Sequence, residues 1–332
     1  MSFDNNLNVL VIGSGNLGMR HVQALGSVNH ELTILVVEPN ISAIKRTKSI
    51  LNELDNNSAD ISFYRKLEEV KTKSFFLVII ATTSIERKDV CKKILESFSV
   101  KFILLEKILF ANESDYYEIS ELISKCEVDV FVNCSMRTMP SYLQIKNYFD
   151  NSSIEYHVNG GNQSNYGLIT CLPHHLDHIG YLTGDHDIID VDTTHLLNPP
   201  IQSKRKNYLE FTGLLIVRFK GGTIGTFHSY EKSAKPLTVN IENRDVSLFI
   251  CEQQKRMILR SRSDEWKISM QDFPVAYQSE MTKLIVEDLI LHQRCELPSY
   301  DLAMRTHLSF LMPMKEWLSK NNVVTEVDFP FT

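Results

Sequence analysis

What most narrows the folds open to this chain is an apolar run, Val9-Leu10-Val11-Ile12, that passes into Gly13-Ser14-Gly15-Asn16-Leu17-Gly18 and then a helix-like stretch over 19–25. In a strand-to-helix turn the first glycine allows the tight bend, the second lets backbone N–H groups approach a pyrophosphate, and the third lets helix and strand pack closely. The helix N-terminus adds unpaired donors and a partial positive charge. Glu38, twenty positions after Gly18, closes a second apolar run over 32–37, where its carboxylate can accept both hydroxyls of a ribose. Glycines alone are a weak signal, but strand, spacing and carboxylate together specify a dinucleotide-binding unit. Gly13, Gly15, Asn16, Leu17, Gly18 and Glu38 are its cofactor-binding positions. No Arg or Lys follows Glu38 until Lys45 and Arg46, so the expected cofactor is NAD.

A chain of 332 residues exceeds what one core usually serves, so two domains are expected, 1–134 and 135–332. A net charge of −6 argues against nucleic acid or an anionic membrane as partner. Met1-Ser2-Phe3-Asp4-Asn5-Asn6 shows neither the basic nor the apolar part of a signal peptide, and the longest apolar run, 75–81, is too short for a bilayer. Six cysteines without a C-x-x-C pair read as reduced thiols. The expectation is a cytoplasmic enzyme.

Over the first 130 residues apolar strands (8–12, 32–38, 62–64, 75–82, 102–106 and 128–134) alternate with helical patterns (17–26, 41–54, 87–98 and 114–125). That alternation predicts a doubly wound parallel sheet. Ligands bind beyond the carboxyl ends of such strands, which brings in Thr82, Thr83, Ser84, Glu106 and Lys107. After residue 134 the pattern changes to helices at 141–149 and 173–182, then β-type stretches at 154–159, 209–219, 223–230, 238–242, 246–251 and 257–262. Helices at 277–293 and 300–318 follow. The fold class is therefore α/β: an N-terminal Rossmann domain plus a C-terminal α+β domain with an open-faced, largely antiparallel sheet.

The motif order resembles the Gfo/Idh/MocA oxidoreductases: V-I-G-S-G-N-L-G-M-R-H at 11–21, I-I-A-T-T-S at 79–84, L-L-E-K at 104–107 and H-H-L-D-H-I-G-Y-L-T-G at 174–184. The resemblance covers essentially the whole chain. It implies NAD-dependent hydride transfer at a secondary alcohol or ketone of a sugar, sugar derivative or nucleotide sugar, and a homo-oligomer, dimer or tetramer, formed through the C-terminal sheet. It also implies that Lys107 touches the reacting oxygen and that His174, in an H-x-x-D pattern with Asp177, is the acid–base residue. Asn165-Tyr166-Gly167-Leu168 resembles the W-G-L loop of members encoded among surface-polysaccharide genes, making Asn165 and Tyr166 substrate-binding candidates.

Departures accompany the resemblance. Ile108 stands where the family usually has proline, Thr83 and Arg87 where it often has proline and histidine, and Thr170 where many members place the aspartate of a Lys/Asp/His set. Threonine exchanges hydrogen bonds but takes no proton near neutrality. An NAD-binding regulatory or scaffold member without turnover is the alternative these departures keep open.

The chemistry itself needs one group to hold the substrate oxygen and another to move its proton. Lys107 suits the first and the His174 imidazole the second. Asp177 either orients His174 or bonds a neighbouring loop. Arg137 either anchors a substrate phosphate or carboxylate or forms an interdomain salt bridge. His174 and His178, one helical turn apart, match metal spacing, but a zinc site needs a third ligand and the family works without metal, so none is expected.

Overall fold

The computed structural model describes residues 7–53, 59–149, 151–164 and 166–332. Two compact units emerge, 1–133 with 276–301, and 134–275 with 302–332. The second segment of the first unit differs from the expected single boundary near residue 134.

The first unit begins β1 (Leu7–Ile12), α1 (Asn16–Leu25), β2 (Leu32–Val37), α2 (Ile41–Asn52), β3 (Asp60–Tyr64) and β4 (Ser74–Ile80). It continues with α3 (Ser84–Ser97), β5 (Ser99–Leu105), α4 (Glu113–Ser124) and β6 (Asp129–Val132). The six strands form one parallel sheet in the order β3-β2-β1-β4-β5-β6. Their near-continuous Val/Ile/Leu runs suit strands covered on both faces; Phe75 to Ile80 are all buried. This is the doubly wound fold expected, and the order reverses between β1 and β4, where such sheets bind ligands.

The second unit runs α5 (Pro140–Ile145), β7 (Glu155–Gly161), α6 (Leu168–Thr183), β8 (Ile188–Leu196), β9 (Ile201–Gln202), β10 (Leu209–Glu210) and β11 (Gly213–Phe219). It continues through β12 (Ile224–Tyr230), β13 (Thr238–Glu242), β14 (Val246–Cys251), β15 (Arg256–Ser261) and β16 (Ser269–Asp272). Eight strands pair in the order β16-β15-β14-β13-β7-β12-β11-β8, antiparallel except β7 with β12. Alternation gives the sheet two unlike faces. Leu215, Val217, Phe219 and Phe227 are buried, whereas Leu214, Ile216 and Phe249 on the other face are partly or well exposed. On the buried face α6 packs on β12, for a Cβ at Gly225 would meet Ile179 Cδ1 at 3.3 Å.

The stretch expected as one strand over 209–219 is broken at Phe211-Thr212: β10 pairs only with β9, and β11 joins the large sheet. α6 begins at Leu168, five residues before the expected start at Pro173, which lies inside the helix. Gly184 ends it at φ +71, the left-handed conformation that favours glycine.

Two helices close the chain, α7 (Gln278–His292) and α8 (Tyr300–Lys320). α7 belongs to the first unit, where Ile285, Val286 and Leu289 share a buried core with Val22, Leu25, Val28 and Ile34. No helix among the described residues is long and apolar enough to cross a membrane.

Candidate active site

In the first unit the glycine loop does what its spacing requires. Gly13 has φ +89, and a Cβ there would also lie 3.1 Å from the Ala81 carbonyl oxygen. A Cβ at Gly18 would come within 1.9 Å of the Gly13 oxygen, so this glycine is demanded by the helix–strand contact. At Gly15 a Cβ would meet no protein atom within 4 Å. The protein's own packing therefore does not require glycine there, which fits the position that lets a pyrophosphate approach the amides of α1. Asn16 is exposed and Leu17 half-buried at the first turn of α1.

Glu38 follows β2 with 8% exposure. The Ser14 amide donates to its Oε2 at 2.7 Å and the Asn40 amide to its Oε1 at 2.8 Å. The carboxylate is thus fixed beside the glycine loop, as a ribose acceptor must be. Beyond β4, Ser84 is buried and Thr83 precedes α3, its hydroxyl donating to Glu86. The Ser14 and Thr82 hydroxyls are buried and find no partner among the described residues. Buried polar groups seldom stay unpaired, so both suit the polar rim of a nucleotide.

At the end of β5, Glu106 is 3% exposed. Burial alone would lift its pKa, but His21 and Asn133, bonding to Oε1 at 2.8 and 2.6 Å, and the nearby Lys107 charge hold it below the usual carboxylate range. Lys107 is half-buried, and the Lys107-Ile108 peptide bond is cis.

In the second unit α6 carries a row of titratable groups. His174 is half-buried, whereas His175, Asp177 and His178 are buried, so His174 is the more accessible imidazole of the cluster. Burial drives His175 and His178 down to about 3, with each Nδ1 3.2 Å from the Tyr156 hydroxyl. Burial pushes Asp177 up to about 7, outweighing the pull of Arg137, whose Nε lies 3.1 Å from its Oδ2. Asp177 thus pairs with Arg137 inside the second unit, and this salt bridge of Arg137 is not an interdomain one.

Thr170 Oγ1 donates to Glu210 Oε2 at 2.7 Å. Glu210 also accepts from the amides of Ile169 at 2.7 Å, Thr170 at 3.2 Å and Phe211 at 3.0 Å, and so caps the start of α6. Burial raises its pKa against these bonds. Tyr166 is buried with its ring against Gly160, a hypothetical Cβ there lying 2.9 Å from Tyr166 Cδ1. Asn165 lies outside the described residues. No cluster of three or more His, Cys, Asp or Glu suited to a metal occurs among the described residues.

Sequence reasoning missed His21, Asn133 and Glu210. The signal for Glu210 was an acid inside an apolar β-type stretch. His21 stood in the glycine motif, but nothing local links it to Glu106, 85 residues on.

Residues 7–134 match the sequence model of the Gfo/Idh/MocA oxidoreductases, an oxidoreductase family with an NAD-binding Rossmann fold. No curated protein matches. Among solved structures the chain is similar to a levoglucosan dehydrogenase in complex with NADH (14% identity, TM-score 0.72, covering 95% of this chain and 98% of that one). UDP-N-acetylglucosamine 3-dehydrogenase GnnA from Acidithiobacillus ferrooxidans aligns at 14% identity and TM-score 0.68 over 92% and 96% of the two chains. The transcriptional regulator Gal80p from Kluyveromyces lactis aligns at 15% and 0.68 over 92% and 91%. Identities this low show a shared fold.

Proposed function

We propose that this chain, whose residues 7–134 match the Gfo/Idh/MocA oxidoreductases, moves hydride between nicotinamide and a secondary alcohol or ketone of a sugar, sugar derivative or nucleotide sugar. Bound NAD accepts or gives the hydride. Gly13, Gly15 and Gly18 admit its pyrophosphate, and Glu38 holds the ribose. Lys107 binds the substrate oxygen and stabilises charge as it develops there. His174 takes or returns the hydroxyl proton. The dehydrogenases of levoglucosan and UDP-N-acetylglucosamine among the structural relatives support the substrate class. The outward face of the eight-stranded sheet, with Leu214, Ile216 and Phe249, is the surface we assign to a homo-oligomer.

The observation that carries this reading is the fixed Glu38 carboxylate beside a glycine, Gly15, that the fold itself does not require. The test is nicotinamide absorbance with NAD or NADH against a panel of free, anhydro- and nucleotide sugars. Turnover of at least one member is expected, with a loss of about 3 kcal/mol or more of barrier stabilisation in Lys107→Met. Tight NADH binding with no turnover across the panel would favour the regulatory alternative.

A further inference from the structure

Lys107 follows an anchored residue and precedes two more. Before it, Glu106 Oε1 lies 2.8 Å from His21 Nε2 and receives Asn133 Nδ2 at 2.6 Å. On its other side His21 Nδ1 lies 2.8 Å from the Thr282 hydroxyl, which is also 3.0 Å from the Gln278 carbonyl. Glu106, held below the usual carboxylate range, is the acceptor for His21 Nε2 and Asn133 Nδ2. This fully buried histidine thereby ties α1, the ends of β5 and β6, and α7 into one hydrogen-bonded network.

After Lys107 the anchor is Arg87, 1% exposed on α3. Its guanidinium donates to the Leu109 carbonyl at 2.9 Å and to the carbonyls of Ile108 and Thr82. One planar fork of donors thereby joins the turn after β5 to the end of β4.

The geometry points to His21 and Arg87 as positioning residues for Lys107: two buried clamps, one on the residue before it and one on the two residues after it, that fix where its ammonium stands. Neither touches substrate. Their importance follows from the sensitivity of catalysis to displacement, about 10² in rate for a shift of roughly 1 Å. Held this way, a lysine beyond the end of a strand keeps the accuracy of the sheet. The inference rests on the reading of Lys107 as the group that binds the substrate oxygen, although the clamps themselves can be tested without turnover.

The experiment uses the full chain labelled with carbon-13 at the lysine ε-carbons and saturated with NADH, the Lys107 resonance being the one missing from Lys107→Arg. In His21→Leu and Arg87→Met that resonance should move to the envelope of exposed lysines, and His21→Gln, which keeps a donor for Glu106, should restore it. Should either apolar variant fail to fold, Asn133→Ala and Arg87→Lys loosen the same two clamps without emptying the core and should shift the resonance part of the way. An unmoved Lys107 resonance in folded variants of both clamps overturns the proposal. Normal turnover by Lys107→Met, with the resonance still moving in the clamp variants, would sink the role of Lys107 and leave the clamps standing.

Discussion

Arg137 and Asp177 form a buried ion pair, Nε to Oδ2 at 3.1 Å, with 9% and 4% of their side chains exposed. The guanidinium carbon also lies 4.8 Å from the centre of the Tyr181 ring. Breaking one side of such a pair typically costs about 3–5 kcal/mol, because the other charge stays buried. Asp177 can relieve part of that by taking a proton, so Arg137→Met should cost about 3 kcal/mol in urea unfolding. Adding Asp177→Leu should recover most of the loss. A single-variant cost below about 1 kcal/mol would mean the pair contributes no more than a surface one.

The histidines behind that pair make stability depend on pH. His175 and His178, at about 3 when folded, stay neutral while their unfolded counterparts protonate below about 6.5. Asp177, at about 7 when folded, keeps a proton that the unfolded chain releases above about 3.9. The two effects have opposite signs. Between about pH 4 and 6 the unfolded chain gains two protons on the histidines and lacks one on the aspartate, a net excess of one. Stability from these groups therefore falls as pH falls, by about 1.4 kcal/mol per pH unit. His178→Phe removes one of the two histidine protons, so its urea-unfolding slope in that window should be shallower than wild type by about the same amount. Parallel slopes for the two proteins would contradict this.

How much of this was legible in sequence depends on whether the cause is local. Most strands of the parallel sheet were readable because they carry an apolar run between turn signals, as in β1 and β4, and Gly13, Gly18 and Glu38 lie beyond the ends of such runs. β8 and β16 were not readable: both are edge strands, and neither Ile188–Leu196 nor Ser269–Asp272 carries the apolar pattern of a covered strand. The start of α6 was misplaced because Pro173 looks like a first-turn proline, whereas the cap is Glu210, about 40 positions away. In the same way α7 was legible as a helix, but its place in the first core was not, since only packing shows that Val286 and Leu289 meet Val22 and Leu25.

His174→Ala should lower turnover by about 10² to 10⁴ and remove any rate dependence with a midpoint near neutrality. Thr170, one turn earlier, has its hydroxyl on Glu210 and offers no carboxylate of its own to mask the loss. Comparing pH–rate profiles of wild type and variant on a substrate from the sugar panel checks this. An unchanged profile would move the proton-transfer role to another group, with Lys107 the first to examine.

Cofactor choice turns on Glu38. Both of its oxygens are fixed by backbone amides, so a 2′-phosphate would meet a carboxylate that cannot easily turn away. Hydrogen bonds from ribose hydroxyls to a charged acceptor are worth about 1.5–3 kcal/mol, and NADP loses them. Sequence spacing showed no cation near Glu38, but the fold brings Arg65 from the end of β3, its Nη2 donating to the Pro39 carbonyl at 3.3 Å. That charge offsets part of the repulsion. The expected preference for NADH over NADPH is therefore about tenfold, equivalent to 1.4 kcal/mol. Arg65→Ala should widen it by weakening NADPH alone. Equal or tighter NADPH binding by wild type would show that Glu38 does not govern the choice.

Gly15 and Gly18 separate the needs of the fold from those of the cofactor. An alanine methyl at Gly18 would press on the Gly13 carbonyl, a backbone group that cannot swing aside, and would lie 3.2 Å from Ala81 Cβ. Overpacking of this kind costs about 1–3 kcal/mol or more, so Gly18→Ala should lower both stability and NADH affinity. At Gly15 the methyl meets no protein atom within 4 Å. Gly15 is the N-cap of α1, with no side-chain cap to lose, and alanine there costs at most a few tenths to about 1 kcal/mol. The same methyl stands in the path of a pyrophosphate approaching the first amides of the helix. Gly15→Ala should therefore unfold close to the wild-type midpoint while binding NADH at least about tenfold more weakly. Thermal melts without cofactor, paired with fluorescence titration by NADH, measure the two effects separately. Wild-type NADH affinity in a folded Gly15→Ala protein would remove the pyrophosphate from this loop, and with it the reason for glycine at that position.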